Sequence, residues 1–178
     1  MQDTSRQNVR NKKSYSTWLS HEQPSIVQVV WFLVILCILA WLSGNTDWIW
    51  LTPPFGATLT ILMLLPEASI AQPFPVIIGS TVGAGIGEVI LLIGHGPYYA
   101  VIAAIITLIL LSLLRIFHPP AVALSMFTVL LHTNIWFPIA VVLPLEVIAV
   151  VSRWCLSICF VHMSTYPLPL HQKDHAPS

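Results

Sequence analysis

Residues 26–43 read IVQVVWFLVILCILAWLS, an apolar run interrupted only by Gln28 and Ser43. Coiled as a helix at about 1.5 Å per residue, such a run just covers a hydrocarbon core of about 30 Å. Further long apolar runs occupy residues 74–94, residues 98–114, and the stretch from about Trp136 to about Phe160. One small water-soluble core has no room for all of them. The charge content closes that option: 8% of the 178 residues are charged, where a soluble domain carries about 25%. A short chain has a large surface for its volume. At 56% hydrophobic residues and a mean hydropathy of +0.83, this one needs lipid rather than water on its outside. The sequence therefore specifies an all-α integral membrane fold with the lipid bilayer as its first partner.

The formal net charge is zero, so no basic field supports nucleic-acid binding. The basic residues are placed unevenly. Arg6, Arg10, Lys12 and Lys13 all precede the first apolar run, and the positive-inside rule assigns that leader, residues 1–24, to the cytoplasm. The first run is followed by Asn45-Thr46-Asp47-Trp48 rather than a small-residue cleavage site, so it reads as a retained anchor. Trp41, Trp48 and Trp50 at its far end suit an aromatic belt. Cys37, Cys155 and Cys159 lie inside apolar runs and read as packing residues, with no disulfide framework and too few ligands for a metal site. The membrane domain is expected over residues 25–162. A polar, Pro- and His-rich tail over 163–178 reads as disordered.

Prolines divide the domain. Thr52-Pro53-Pro54-Phe55-Gly56 leads into a short apolar segment, Ala57 to Leu65, and His118-Pro119-Pro120 leads into another, Ala121 to Leu131. A double proline is excluded from a helix interior but starts a helix well. Each half, about 26–94 and 98–161, thus reads as long span, double proline, short helix, long span, a two-fold internal repeat. Two architectures follow: four long transmembrane helices with two re-entrant half-helices, or six spans. Both put the two termini in the cytoplasm, and they differ over Arg115, which lies outside with four spans and inside with six. Repeats with interrupted helices recur in transporters and channels. Helix starts within the membrane offer unpaired N–H groups and a partial positive charge to a small anion or water.

Gly79, Gly83 and Gly87 recur every four residues on one helical stripe, as expected where helices pack closely in lipid. Two side chains stand out among the apolar residues. His118 is a candidate gate, proton acceptor or ligand, and Glu88 lies well inside a span, where a carboxylate is costly and often functional. Glu146 and Arg153, about two turns apart, are expected to make interhelical contacts and anchor the end of a span rather than to pair directly. His95 and His132 fall at loop ends and are expected to face solvent. The Walker A, HExxH and GxSxG motifs are absent from the sequence, and no cofactor or metal is called for.

The tripeptide His118-Pro119-Pro120, the element Pro53-Pro54-Phe55-Gly56-Ala57-Thr58 and the element Ala71-Gln72-Pro73 occur in an order that resembles the HPP family of small membrane proteins. The likeness runs from about Trp31 to the last span. It implies a membrane protein of about four spans, with transport of a small anion such as nitrite as one activity found among members. Three positions depart from the family pattern. Phe74 and Pro75 stand where a basic residue and Asn often follow the second element, and Val122 stands where Gly often follows the tripeptide.

The expected function is a membrane transporter or channel-like protein for a small solute, with no enzymatic activity. The candidate pathway residues are Thr52, Pro53, Pro54, Gly56, Thr58, Gln72, Glu88, His118, Pro119 and Pro120, and the protein is expected in an inner or plasma membrane. An alternative is a non-transporting accessory subunit that uses the glycine stripe as a partner or homo-oligomer interface. A less favoured one is an intramembrane enzyme with His118 and Glu88 as its acid/base pair.

Overall fold

The structure, a computed structural model, describes residues 24–160 and 164–168. Among these residues six apolar helices make up the bundle: α1 (Ile26–Asn45), α2 (Pro53–Leu64), α3 (Pro75–Ile93), α4 (Pro97–Leu113), α5 (Pro119–Leu131) and α6 (Pro138–Cys159). No strand occurs among the described residues. The 20, 19 and 22 residues of α1, α3 and α6 make them long enough to cross a membrane. The 12 residues of α2 and 13 of α5 cover only about 18–20 Å. The leader before Pro24 and the tail beyond Leu168 lie outside the described residues.

The helix boundaries follow local chemistry. Ser25 and Gln28 form a capping box at the start of α1, satisfying N–H groups that the first turn leaves unpaired. The other five helices begin with proline, where the missing N–H costs nothing. The first turns of α3 and α6, Pro75–Gly79 and Pro138–Val142, are wound as π-helix. In α6 the cause is close by. Pro144 cannot donate to the carbonyl four residues before it, and the Leu143 N–H reaches back to Pro138 instead.

Contacts between helices fix their directions. Gln28, early in α1, donates to the Met63 carbonyl at the end of α2, so α1 and α2 are antiparallel. Trp31 donates to Ser152 late in α6, while Leu39 and Leu42 share a groove with Leu145, so α1 and α6 are antiparallel too. Thr58 meets Glu146 and Leu62 meets Arg153, which makes α2 and α6 parallel. Along α3, Gly79, Gly83 and Gly87 lie against Ile116, Ala121 and Ser125 in turn, so α3 and α5 are parallel. Ile90 clusters with Ala100, Ala103 and Val129, and Ile78 and Val82 cluster with Leu111 and Ala121. Helix α4 therefore opposes both α3 and α5. The chain reverses direction at every connection. Arg115 lies on the face where α1 begins and α6 ends, while His95 and His132 sit on the other face with ring centroids 5.1 Å apart.

The glycine stripe is used within the chain. A Cβ on Gly79 would stand 2.8 Å from the Ile116 carbonyl oxygen, and one on Gly87 would stand 2.6 Å from that of Ser125. These glycines let the backbones of α3 and α5 touch. The stripe is thus covered by α5, and the partner interface expected of it in an accessory subunit is already occupied. The three cysteines are free and exposed, facing outward rather than packing in the core as the sequence suggested. Large apolar side chains also face outward, among them Leu33, Val101, Ile109 and Ile148, as suits a lipid-facing surface.

Candidate functional site

The apolar interior encloses a small polar centre. Thr58, in the second turn of α2, has its hydroxyl 3.0 Å from His118 Nε2 and 3.3 Å from Glu146 Oε1. All three residues are fully buried. His118 caps α5 in an extended conformation imposed by the proline that follows. That turn directs its ring toward α2 and α6. Its other nitrogen, Nδ1, lies 2.7 Å from the Ile70 carbonyl. A carbonyl only accepts, so Nδ1 carries a hydrogen and Nε2 faces the hydroxyl.

Ser80, at the start of the regular turns of α3, lies beside the Glu146 carboxyl. Its hydroxyl and Glu146 Oε2 are both buried without a hydrogen-bond partner. The centre thus draws on α2, α3, α5, α6 and the link between α2 and α3. It is enclosed, and it keeps unused hydrogen-bonding capacity on one side.

The link is itself held from behind. Gln72 donates to the carbonyls of Pro66 and Ala68 and accepts from the Leu168 N–H. Tyr166, 1% exposed, donates to the Ala71 carbonyl over 3.0 Å. Burial pushes its phenol above the ordinary range against the pull of nearby Arg153, so it remains a donor. Arg153 is also fully buried. Its guanidinium donates to the Leu62 carbonyl and to Ser164, and lies over the Tyr166 ring at 5.6 Å. Residues 164–168 therefore pack against the bundle, although the tail's composition suggested disorder. Arg153 and Glu146 form no ion pair, in keeping with their two-turn separation.

The expected site residues separate into groups. Thr58 and His118 meet in the centre, with Pro119 and Pro120 forming the first turn of α5 behind His118. Thr52 is buried at the start of α2 with its hydroxyl unpartnered, and Pro53 and Pro54 open that helix. Gly56 borders open space, with nothing within 4 Å of where a Cβ would sit. Gln72 braces the link. Glu88 lies elsewhere, accepting a 2.6 Å hydrogen bond from Thr133 in the connection between α5 and α6. The structure therefore does not bring Glu88 to His118 as an acid/base pair. The carboxyl at the centre belongs to Glu146. Neither it nor Ser80 was among the expected pathway residues, although an acidic side chain within a span was already a signal for Glu146. Among the described residues, no group of three or more His, Cys, Asp or Glu side chains is placed to hold a metal ion.

Comparison with curated proteins and with solved structures finds no match. A family model described as "HPP, transmembrane region" matches residues 20–167. That stretch takes in all six helices, the polar centre and the segment that braces it, and on that match the chain belongs to the HPP transmembrane family.

Proposed function

We propose that this protein is a membrane transporter or channel-like protein for a small solute, a small anion such as nitrite among the candidates. The observation that carries this reading is the buried His118–Thr58–Glu146 centre at the start of the 13-residue helix α5. Ionisable side chains are expensive within a bilayer, and where they occur they usually mark a path for solutes or protons. The start of α5 adds the positive end of the helix dipole without a buried cation, although Pro119 and Pro120 carry no N–H and that of Ala121 donates to the His118 carbonyl. Such a site receives a small anion or a polar neutral solute.

The architecture supports the same reading. Helices α1–α3 and α4–α6 each comprise a first apolar helix, a short helix opened by two prolines, and a helix whose first turns are π-wound. The alternating directions support reading the halves as inverted copies with six crossings. Inverted repeats with a site at their junction are a recurrent basis for alternating access. Arg115 shares a face with the start of α1, and the positive-inside rule, applied to Arg115 and to the basic residues that precede α1 in the sequence, supports a cytoplasmic position for that face and both termini, in an inner or plasma membrane.

Uptake of nitrite into proteoliposomes tests this reading. Wild-type protein should give saturable uptake above that of protein-free vesicles. Gly56→Leu, which fills open space, and His118→Ala, which empties the centre, should each lower it by about tenfold or more with insertion unchanged. Uptake at the wild-type rate in both variants would contradict the proposal.

A further inference from the structure

The geometry points to a proton relay: His118, Thr58 and Glu146 together hold one exchangeable proton and pass it between the imidazole and the carboxyl. The argument is a count of hydrogens. Thr58 Oγ1 stands within hydrogen-bonding distance of both His118 Nε2 and Glu146 Oε1, but a hydroxyl has one hydrogen to give. His118 Nδ1 is already committed to the Ile70 carbonyl. If Nε2 and the carboxyl were both unprotonated, one hydrogen would face two acceptors, and one contact would have no bond. A further proton resolves this in two ways. On Nε2, it lets the imidazolium donate to Thr58 while Thr58 donates to the carboxylate. On Oε1, it lets the carboxylic acid donate to Thr58 while Thr58 donates to neutral Nε2.

The two arrangements interconvert without any outside reactant. The Nε2–H bond breaks as that proton joins Oγ1. The original Oγ1–H bond breaks as its proton joins Oε1. Imidazolium and carboxylate become imidazole and carboxylic acid, and the net charge of the trio stays at zero. The contact with Glu146, at 3.3 Å, is long for an O–H···O bond, so it is the one that must tighten for transfer.

Charge balance favours one proton over none or two. No proton leaves a buried net negative charge and two leave a net positive one, each costly in an apolar interior. The groups facing the trio do not supply a counter-charge. Helix α3 offers the neutral Ser80 hydroxyl, and the link offers the Ile70 carbonyl. Of the other buried titratable groups, Tyr166 donates to Ala71 as a neutral phenol, and Arg153 keeps its charge but bonds to the Leu62 carbonyl and Ser164 and not to Glu146. Helices α1 and α4 carry no acidic or basic residue. Glu146 Oε2, buried and unpartnered, is the free end through which a proton enters or leaves when the centre opens. This inference deepens the transport reading and rests on it in one respect: the relay would link solute movement to movement of a proton.

The test has two arms that can fail separately. Infrared titration of purified protein, read between about pH 5 and 8, should show a buried carboxylic acid band that is lost in Glu146→Gln. Nitrogen NMR should show His118 losing its Nε2 proton as that band grows and gaining it as the band falls, so that the two together account for one proton. In Thr58→Val, which removes the hydroxyl, the two titrations should become independent. A carboxylate that stays ionised beside a neutral His118 throughout, or unaltered coupling in Thr58→Val, would overturn the relay. In the second arm, an inward gradient of one pH unit should drive nitrite accumulation toward about tenfold for one proton per solute, corrected for protein-free vesicles. That response should be lost in Glu146→Gln. Its survival there would overturn the coupling, whereas an absence of nitrite uptake in wild-type protein would contradict the transport reading and leave the proton count standing.

Discussion

Arg153 shows how a single side chain can couple distant parts of the chain. Its guanidinium joins the end of α2 through Leu62 to the segment after α6 through Ser164 and Tyr166. Hydrogen bonds to a charged group contribute about 1.5–3 kcal/mol. Arg153→Leu should therefore lower stability in detergent by on the order of 2 kcal/mol and release residues 164–168 to proteolysis. A thermal melt and limited digestion check this, and intact 164–168 in the variant would show that the segment is held by other contacts. Arg153 was legible in the sequence as a basic residue near the end of a span, but its burial was not. Spacing along one helix says nothing about which carbonyl lies opposite. The same limit hid the centre: Thr58, Ser80 and Glu146 come from three helices, and the local signals, the two prolines after His118 and the acidic Glu146 within a span, did not say that these residues meet.

At the scale of elements, the glycine stripe and the helix lengths were the readable parts. The apolar runs predicted helices near 26–43, 57–65, 74–94, 98–114 and 121–131, and the structure places helices at each. The prolines extend α2 and α5 backward to their double-proline starts, because a proline fits the first turn. The packing of α3 on α5 carries a sharp contrast between two neighbouring glycines. A Cβ on Gly83 would meet the Ala121 backbone, with its carbonyl carbon at 3.0 Å, whereas one on Gly85 would meet nothing within 4 Å. Gly83→Ala should destabilise by about 1–3 kcal/mol through overpacking, and Gly85→Ala should be neutral or gain up to about 1 kcal/mol from helix propensity. Thermal midpoints of the two variants, compared in one detergent, decide this. Equal midpoints would mean that α3 and α5 are not in backbone contact.

At the scale of the whole molecule, the sequence left two architectures open, and the proposed function takes the one with six crossings. The 12 and 13 residues of α2 and α5 suit a re-entrant segment as well as a short crossing, so length alone could not decide. The alternation of directions supports the six-crossing proposal, since Gln28 meets Met63 and Trp31 meets Ser152 at one end of the bundle. The proposed function depends on that alternation, because the six-crossing reading treats the halves as inverted and sets the meeting of α5 with α2 and α6 inside the membrane. The most direct measurement is the sidedness of single cysteines, placed in a protein whose Cys37, Cys155 and Cys159 are first changed to serine. Arg115→Cys should react with an impermeant thiol reagent from the face that carries the N-terminus, and Asp47→Cys from the opposite face. Labelling of both positions from the same face would contradict the six-crossing, inverted arrangement and the transport site built on it.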